Sequence, residues 1–270
     1  MTPAGLIAAR FGALAFDPPD TIADGLAAIL DRRVTRKFRA GAVPEALLAT
    51  VLAAAQSAPA KSDLQQYAII VWQDPDKIAA VADAIGTMPW IKDAPVLLLF
   101  CGDIRRGRKI CAAQGRVHAN DSIDTFLNAS VDAALALGFC IMAADAAALG
   151  SCPISYVRNH LDLVAGLAEL PDGVFPVAGL ALGWPEARNA VTPRLPPSVV
   201  VHRETYDDSG LSASLAAYDA LRPRQKPRYP ASHGPAPESC SWSENAARQL
   251  AVPERAGFRT WLATKGINLG

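Results

Sequence analysis

The residues best suited to chemistry sit in two short segments of the first quarter of the chain. Arg32-Arg33-Val34-Thr35-Arg36-Lys37-Phe38 places three guanidinium groups within five positions, and a guanidinium fork matches phosphate oxygens better than an ammonium does. Taken alone, the segment is also what a solvated basic turn looks like. Residues 58–65, Ala-Pro-Ala-Lys-Ser-Asp-Leu-Gln, form a polar loop between an Ala-rich helical pattern and an apolar strand pattern. Ala60, Lys61 and Ser62 offer an anion backbone N–H groups, an ammonium and a hydroxyl. Gln65 carries a donor and an acceptor, which suits the edge of a heterocycle with imide-like groups. Farther along, Gly183-Trp184-Pro185 precedes Thr192-Pro193-Arg194-Leu195-Pro196, where one more arginine is held between prolines. Together these segments describe an anion-binding floor.

The elements that must position them follow from the apolar pattern. Behind Pro18-Pro19, the residues Ile22, Leu26, Ile29 and Leu30 recur with helical spacing and predict a helix over 20–31, capped by Asp20 or Thr21. Pro44 and Glu45 open a second helix over 44–56, striped by Leu47, Leu48, Val51 and Leu52. Strands are predicted over 67–72, 95–101 and 174–182, and helices over 74–85 and 156–165. Residues 121–149 form the longest helical pattern, relieved only by Asp124, Asn128, Asp132 and Asp145, so it must be central or covered by another subunit. After Pro193, the prolines at 196, 197, 223, 227, 230, 235 and 237 interrupt a chain with little apolar pattern until 244–264. Such a tail cannot bury a core of its own and is expected to wrap the main body or a partner.

Composition narrows the function classes. In a 270-residue chain that is 51% hydrophobic, 26 basic residues balance 26 acidic ones, so no global field recruits nucleic acid or an anionic membrane. Cys101, Cys111, Cys140, Cys152 and Cys240 form no CxxC pair, and His118, His160, His202 and His233 are too dispersed for a metal or a catalytic triad. This favours a reduced, cytoplasmic protein. Residues 1–15 carry Arg10 in their middle, with no basic start and no small-residue cleavage pattern, so no signal peptide is read there. Residues 131–148 have the length of a membrane span, but Asp132 and Asp145 would each cost roughly 2.5–3.5 kcal/mol at a bilayer centre, so a buried helix is expected.

In order and spacing, these segments resemble the nitroreductase superfamily of FMN-dependent oxidoreductases, within it the oxygen-insensitive NADPH nitroreductase and flavin reductase branch, from about residue 20 onward. Residues 32–38 are similar to the family's His-Arg-Ser-x-Arg-x-Phe motif and residues 58–67 to its Ala-Pro-Thr-Ser-Ser-Asn-x-Gln-Pro-Trp loop. Residues 149–159 stand where the family has a glycine-rich turn, and 182–196 match the Leu-Gly-Trp-Pro and Lys-Pro-Arg-Leu-Pro signatures. The resemblance implies an α+β, nitroreductase-like fold: a central mixed, mostly antiparallel sheet flanked by helices, in an intertwined homodimer. It implies a 1–19 extension, a 20–200 FMN-binding core and a 201–270 excursion around the core or the partner. It assigns FMN to Arg32, Arg33, Val34, Arg36, Ala60, Lys61, Ser62, Gln65, Met88, Pro153, Ile154, Ser155, Tyr156, Thr192 and Arg194, and substrate or NADPH to Arg255. The basic residues Arg222, Arg224, Lys226 and Arg228 are further candidates for dinucleotide phosphates, and Trp90 for a cofactor contact.

No catalytic side chain is implied, because flavin N5 carries the chemistry. NADPH is the expected hydride donor, and a nitroaromatic, quinone or flavin the small-molecule acceptor in a two-electron ping-pong cycle. Two other readings stay open: a flavin-binding protein without turnover, and a family member with different flavin chemistry such as dehalogenation, ene reduction or flavin fragmentation. Four departures from the family pattern bear on this. Arg32 replaces a histidine, Val34 a serine and Thr192 the phosphate-contacting lysine, and Ser155-Tyr156 replaces two glycines. Lys61 and Arg32 are expected to restore the charge that Thr192 gives up, and the side chains at 155 and 156 to narrow the pocket.

Overall fold

The structure, a computed structural model, describes residues 2–12, 16–229 and 232–269. Ala15, where the leader-like stretch ends, and Pro230 of the proline series lie outside the described residues. In chain order the elements are α1 (Pro3–Phe11), α2 (Asp24–Asp31), α3 (Glu45–Gln56), β1 (Tyr67–Trp72), α4 (Pro75–Ile85), β2 (Val96–Asp103), α5 (Ile104–Ala113), α6 (Ile123–Ala146) and β3 (Gly150–Ile154). They continue as α7 (Leu161–Leu167), β4 (Val174–Gly183), α8 (Pro197–Val200), α9 (Leu211–Leu221), α10 (Trp242–Leu250) and α11 (Phe258–Thr264). The chain divides into two compact units, Met1–Arg32 with Ala190–Glu254, and Arg33–Asn189 with Arg255–Gly270.

The second unit holds the sheet, in the order β1-β2-β4-β3, with all three pairings antiparallel. Every residue of β2 is buried, as expected of an unbroken apolar run at the centre of a sheet. Its side chains alternate between two cores with the period of a strand. Leu97, Leu99 and Cys101 pack with Ile78 and Val81 of α4, Val164 of α7, and Trp261 and Leu262 of α11. Val96, Leu98 and Phe100 pack on the other face with Leu48 and Val51 of α3 and Ala133, Ala136 and Cys140 of α6. Helices therefore cover both faces.

Helix α6 buries one narrow stripe of small residues, Ala129, Ala133, Ala136, Cys140 and Ala144, together with Asp132. Its other side leaves Ile123, Leu127, Val131, Leu135 and Phe139 between 36% and 61% exposed. Within one chain α6 is thus half covered, where the sequence called for a central position or cover from another subunit. By length and composition it is the one described helix apolar enough to cross a membrane, yet its buried stripe packs on the sheet and carries a carboxylate.

Several expected elements shift for identifiable reasons. Helix α2 begins at Asp24, since the chain enters through extended Ala23 and no side chain caps it. The helix expected over 156–165 is a 3-10 turn, Ser155–Asn159, followed by α7, with His160 at φ −129° breaking the run. The 244–264 pattern is two helices, α10 and α11, with Pro253 between them. Elements α1, α5, α8, α9 and β3 had no sequence expectation. In β3, Gly150 and Pro153 disguise a strand as a turn, and in α5 the run Arg105-Arg106-Gly107-Arg108-Lys109 hides the helical period.

Candidate functional site

In the second unit, residues 33–39 run alongside residues 184–189. The Arg39 N–H donates to Trp184 O (3.0 Å), the Glu186 N–H to Lys37 O (3.0 Å) and Asn189 Nδ2 to Val34 O (2.7 Å), and Phe38 bridges Pro185. Trp184 is itself fixed, its indole N–H donating to Ala42 O at 3.1 Å and the Arg39 guanidinium lying 5.5 Å from its ring centroid. The Thr35 N–H donates to Ser151 O at 2.9 Å, which lays the segment across β3. A Cβ at Gly150 would stand 2.4 Å from Thr35 Oγ1, so this crossing requires glycine. Thr35 is buried, Arg33 and Val34 are half-buried and Arg36 is exposed, so the segment is held by its backbone while Arg36 projects to solvent.

The 60–66 loop is anchored by a residue that the sequence marked only as relief in an apolar helix. Asp132, 1% exposed on α6, accepts from the Lys61 N–H through Oδ1 and from the Gln66 N–H through Oδ2, both at 2.9 Å. The backbone N–H of Lys61 is therefore committed to a carboxylate of the protein itself, and the loop offers a ligand its side chains. Between the two anchors, Ser62, Asp63 and Gln65 take left-handed φ values of 52°, 57° and 50°, a conformation uncommon for residues with a Cβ. Lys61, Ser62 and Gln65 are exposed, and Ala60 is half-buried. Gln65 Nε2 donates to Asp63 Oδ1 (3.1 Å), while its backbone carbonyl accepts from Arg106 Nη1 (2.6 Å). Beside edge strand β1 a cavity of about 300 Å³ opens, lined by Gln56, Gln65, Tyr67, Ala68, Ile69 and Arg106. Burial pushes the Tyr67 phenol up from its usual value, with Arg106 opposing and Asp132 reinforcing the shift.

At the end of β3, Pro153 is exposed, Ile154 buried and Ser155 exposed, while Tyr156 packs against the core. Arg255, between α10 and α11, donates through Nε to Asn159 Oδ1 at 2.8 Å and through Nη2 to Ser155 Oγ at 3.5 Å. The structure thus brings Arg255 to Ser155, one of the departures from the family pattern. Met88 and Trp90, around the 3-10 turn Pro89–Asp93, are half-buried against the same core.

In the first unit, Arg32 ends α2 and Thr192 and Arg194 lie on the segment before α8. One residue joins these places, and sequence reasoning had noted it only as a break in an apolar stretch. Arg10 of α1, 6% exposed, donates to the carbonyls of Leu30 (2.8 Å), Thr192 (3.0 Å) and Arg32. Of the basic tail, Arg222 bonds Pro193 O (3.3 Å) and the Tyr218 hydroxyl (2.7 Å), and Arg224 bonds Ser239 O (2.7 Å), so both serve the tail itself.

Burial pushes the Cys101 and Cys140 thiols up to about 12, so neither is a nucleophile at neutral pH. Among the described residues no group of three His, Cys, Asp or Glu side chains could hold a metal. Fold and site together define an α+β protein that presents guanidinium groups and a polar loop pinned through its backbone.

The chain belongs to the nitroreductase family: the Nitroreductase family profile matches residues 29–184, and that of the Nitroreductase family, C-terminal domain, matches residues 192–270. An FMN reductase [NAD(P)H] of Bacillus subtilis (strain 168) is 34% identical over 244 residues, which is 86% of this chain and 96% of the relative. The structure of B. megaterium NfrA2 superposes with a TM-score of 0.83 at 29% identity, covering 92% of this chain and 100% of that one. The NADPH:FMN oxidoreductase from Vibrio harveyi, solved in complex with NAD+, gives a TM-score of 0.78 at 28% identity over 90% and 98% of the two chains.

Proposed function

We propose that this protein is an FMN-dependent NAD(P)H oxidoreductase that reduces small-molecule acceptors, among them nitroaromatics, quinones and flavins, by two electrons at a time. The observation that carries the reading is the 60–66 loop. It is clipped at both ends to buried Asp132, so that Lys61, Ser62 and Gln65 are presented on a fixed backbone. The available donors fit FMN. Its phosphate needs cations, and among the residues that the resemblance assigns to FMN these are Arg32, Arg33, Arg36, Lys61 and Arg194. Its ring edge needs a polar partner, and Gln65 supplies one: with Nε2 engaged by Asp63, the side-chain carbonyl oxygen remains to accept from an imide N–H.

FMN when bound supplies the redox chemistry, taking hydride from the nicotinamide and delivering electrons to the acceptor. The protein's residues bind and orient. Arg255, steadied by Asn159, is placed for an anionic group of the nicotinamide donor or the acceptor. Ser155 is exposed beside it and narrows the approach, whereas Tyr156 is drawn onto the core and leaves that approach open.

The same reading includes a cytoplasmic homodimer. The exposed α6 ridge of Ile123, Leu127, Val131, Leu135 and Phe139 repeats at every fourth residue, which makes it a self-complementary surface for a second copy. Of residues 201–270, α11 packs on the chain's own core and the stretch before it wraps the core or the partner; light scattering of the purified protein should give twice the chain mass.

The test is the absorbance spectrum before and after anaerobic addition of NADPH and then NADH. A yellow protein bleached by either donor, whose colour returns when a quinone or nitroaromatic is added, supports the reading. A protein that binds FMN but is not bleached is a flavin carrier without turnover. A colourless protein that takes up no FMN overturns the proposal.

A further inference from the structure

The N-terminal helix α1 lies outside the residues matched by either family profile, yet it delivers a deeply buried cation to the first unit. The helix is set by its own chemistry. Thr2 Oγ1 accepts from the Gly5 N–H at 3.2 Å, Pro3 occupies the first turn, and Gly12 ends the helix at φ +77°. A Cβ at Gly12 would come within 3.2 Å of Leu221, so α1 is seated against α9. From its last turn the planar guanidinium of Arg10 reaches three backbone carbonyls: Nε to Leu30 at 2.8 Å, Nη1 to Thr192 at 3.0 Å, and Nη2 to Arg32. The backbone carbonyl of Arg10 in turn accepts from the Arg194 N–H at 2.7 Å.

Three hydrogen bonds donated by Arg10 and one that it accepts thus tie the end of α2 to the 192–194 segment. These are the two places that carry Arg32 and Arg194. Thr192 stands where the resemblance puts a phosphate-contacting lysine, and the group it contributes instead is its carbonyl, held by Arg10. A lysine at position 10 would not replace this contact, because an ammonium on a flexible stem lacks the rigid fork that spans three acceptors.

We propose that α1 is a strap and Arg10 a positioning residue for the cofactor's phosphate, fixing Arg32 and Arg194 through their backbones in place of a direct lysine contact. This rests on the FMN reading given above. Riboflavin differs from FMN by the phosphate alone, so the ratio of the two affinities isolates the phosphate grip from general damage to the fold.

The experiment titrates apo-protein with FMN and with riboflavin, following quenching of flavin fluorescence, for the unaltered chain, Arg10→Ala, Arg10→Lys, and Arg10→Ala combined with Thr192→Lys. Arg10→Ala should weaken FMN about tenfold while moving riboflavin by less than about twofold. Arg10→Lys should lose most of the same ratio, and Thr192→Lys should return part of it by restoring a direct contact. If Arg10→Ala does not fold, Arg10→Lys, which keeps the charge and most of the stem, decides the matter by the same ratio. Equal losses for both flavins, or no loss for either, overturn the strap while leaving the flavin reading standing. An unaltered protein that binds neither flavin removes the flavin reading and the strap with it.

Discussion

Two buried charges each fasten a candidate binding segment, one in either unit, and they work in opposite senses. In the second unit Asp132 is an acceptor, a carboxylate on the core helix α6 that receives two backbone N–H groups of the 60–66 loop. In the first unit Arg10 is a donor, a guanidinium on α1 that feeds three backbone carbonyls. Burying either charge is tolerable because each is satisfied by peptide groups at hydrogen-bonding distance. They differ in where they stand. Asp132 lies in the stretch that matches the family profile, on a helix packed against the sheet, whereas Arg10 comes from a helix outside both matched stretches. The difference is that the loop is fastened from within the matched stretch, while Arg32 and Arg194 are fastened from a helix outside it.

The comparison breaks most decisively at Asp132. Replacing it with alanine leaves the Lys61 and Gln66 N–H groups without their acceptor and should cost about 2–4 kcal/mol in urea unfolding. FMN and riboflavin affinities should fall together, because the loop as a whole is released. Arg10→Ala should instead separate the two flavins, and parallel losses in both variants would erase the distinction between a structural anchor and a phosphate anchor. A smaller effect is expected at Lys61, whose exposed ammonium is one of several cations: Lys61→Ala should weaken FMN by about threefold to fivefold in the same titration. Unchanged binding would end the idea that Lys61 compensates for Thr192.

Acid gives a finer separation. Burial raises the Asp219 carboxyl, but hydrogen bonds from the backbone N–H and side chain of Ser243, the Ser241 side chain and the Trp242 N–H outweigh it, holding Asp219 below its ordinary 3.8. Its contribution to the α9–α10 region is therefore present above that value and is lost as pH falls through the lowered one. Unfolding midpoints measured on a descending pH series should drop less steeply for Asp219→Asn than for the unaltered chain. Smallest of all, Ser155→Gly removes a 3.5 Å contact to Arg255, which keeps its Asn159 bond, and takes one small side chain out of the approach. It should change kcat/KM for NADPH by less than about threefold.

Where local pattern decides structure, the chain was readable. Residues 67–72 form β1 with the expected bounds, and α3 and α4 begin at Glu45 and Pro75 behind Pro44 and Asp74. At α4 the Asp74 carboxylate accepts from the Asp76 N–H at 2.9 Å, a cap that the sequence displays directly. Pattern failed where long-range contact decides. Gly150 is a strand residue because it pairs with Gly183 of β4, and it is glycine because Thr35 passes 2.4 Å from where its Cβ would stand; nothing local to Gly150 announces either partner. The loop residues 58–65 and the arginines were legible as a binding surface from their chemistry. Their two anchors were not, since Asp132 is 71 positions from Lys61 and Arg10 is 182 positions from Thr192. A charge within an apolar stretch is the signal each one leaves, and it does not say what that charge binds.

That last separation also dates the event. Ribosomes extend a chain by about 5–20 residues per second, so roughly ten to forty seconds pass between the emergence of Arg10 and that of its partner threonine. By then all four strands have been synthesised. The clasp at the amino terminus cannot close before the strands are complete, and a chain cut short before position 192 carries a full set of strands with its buckle undone.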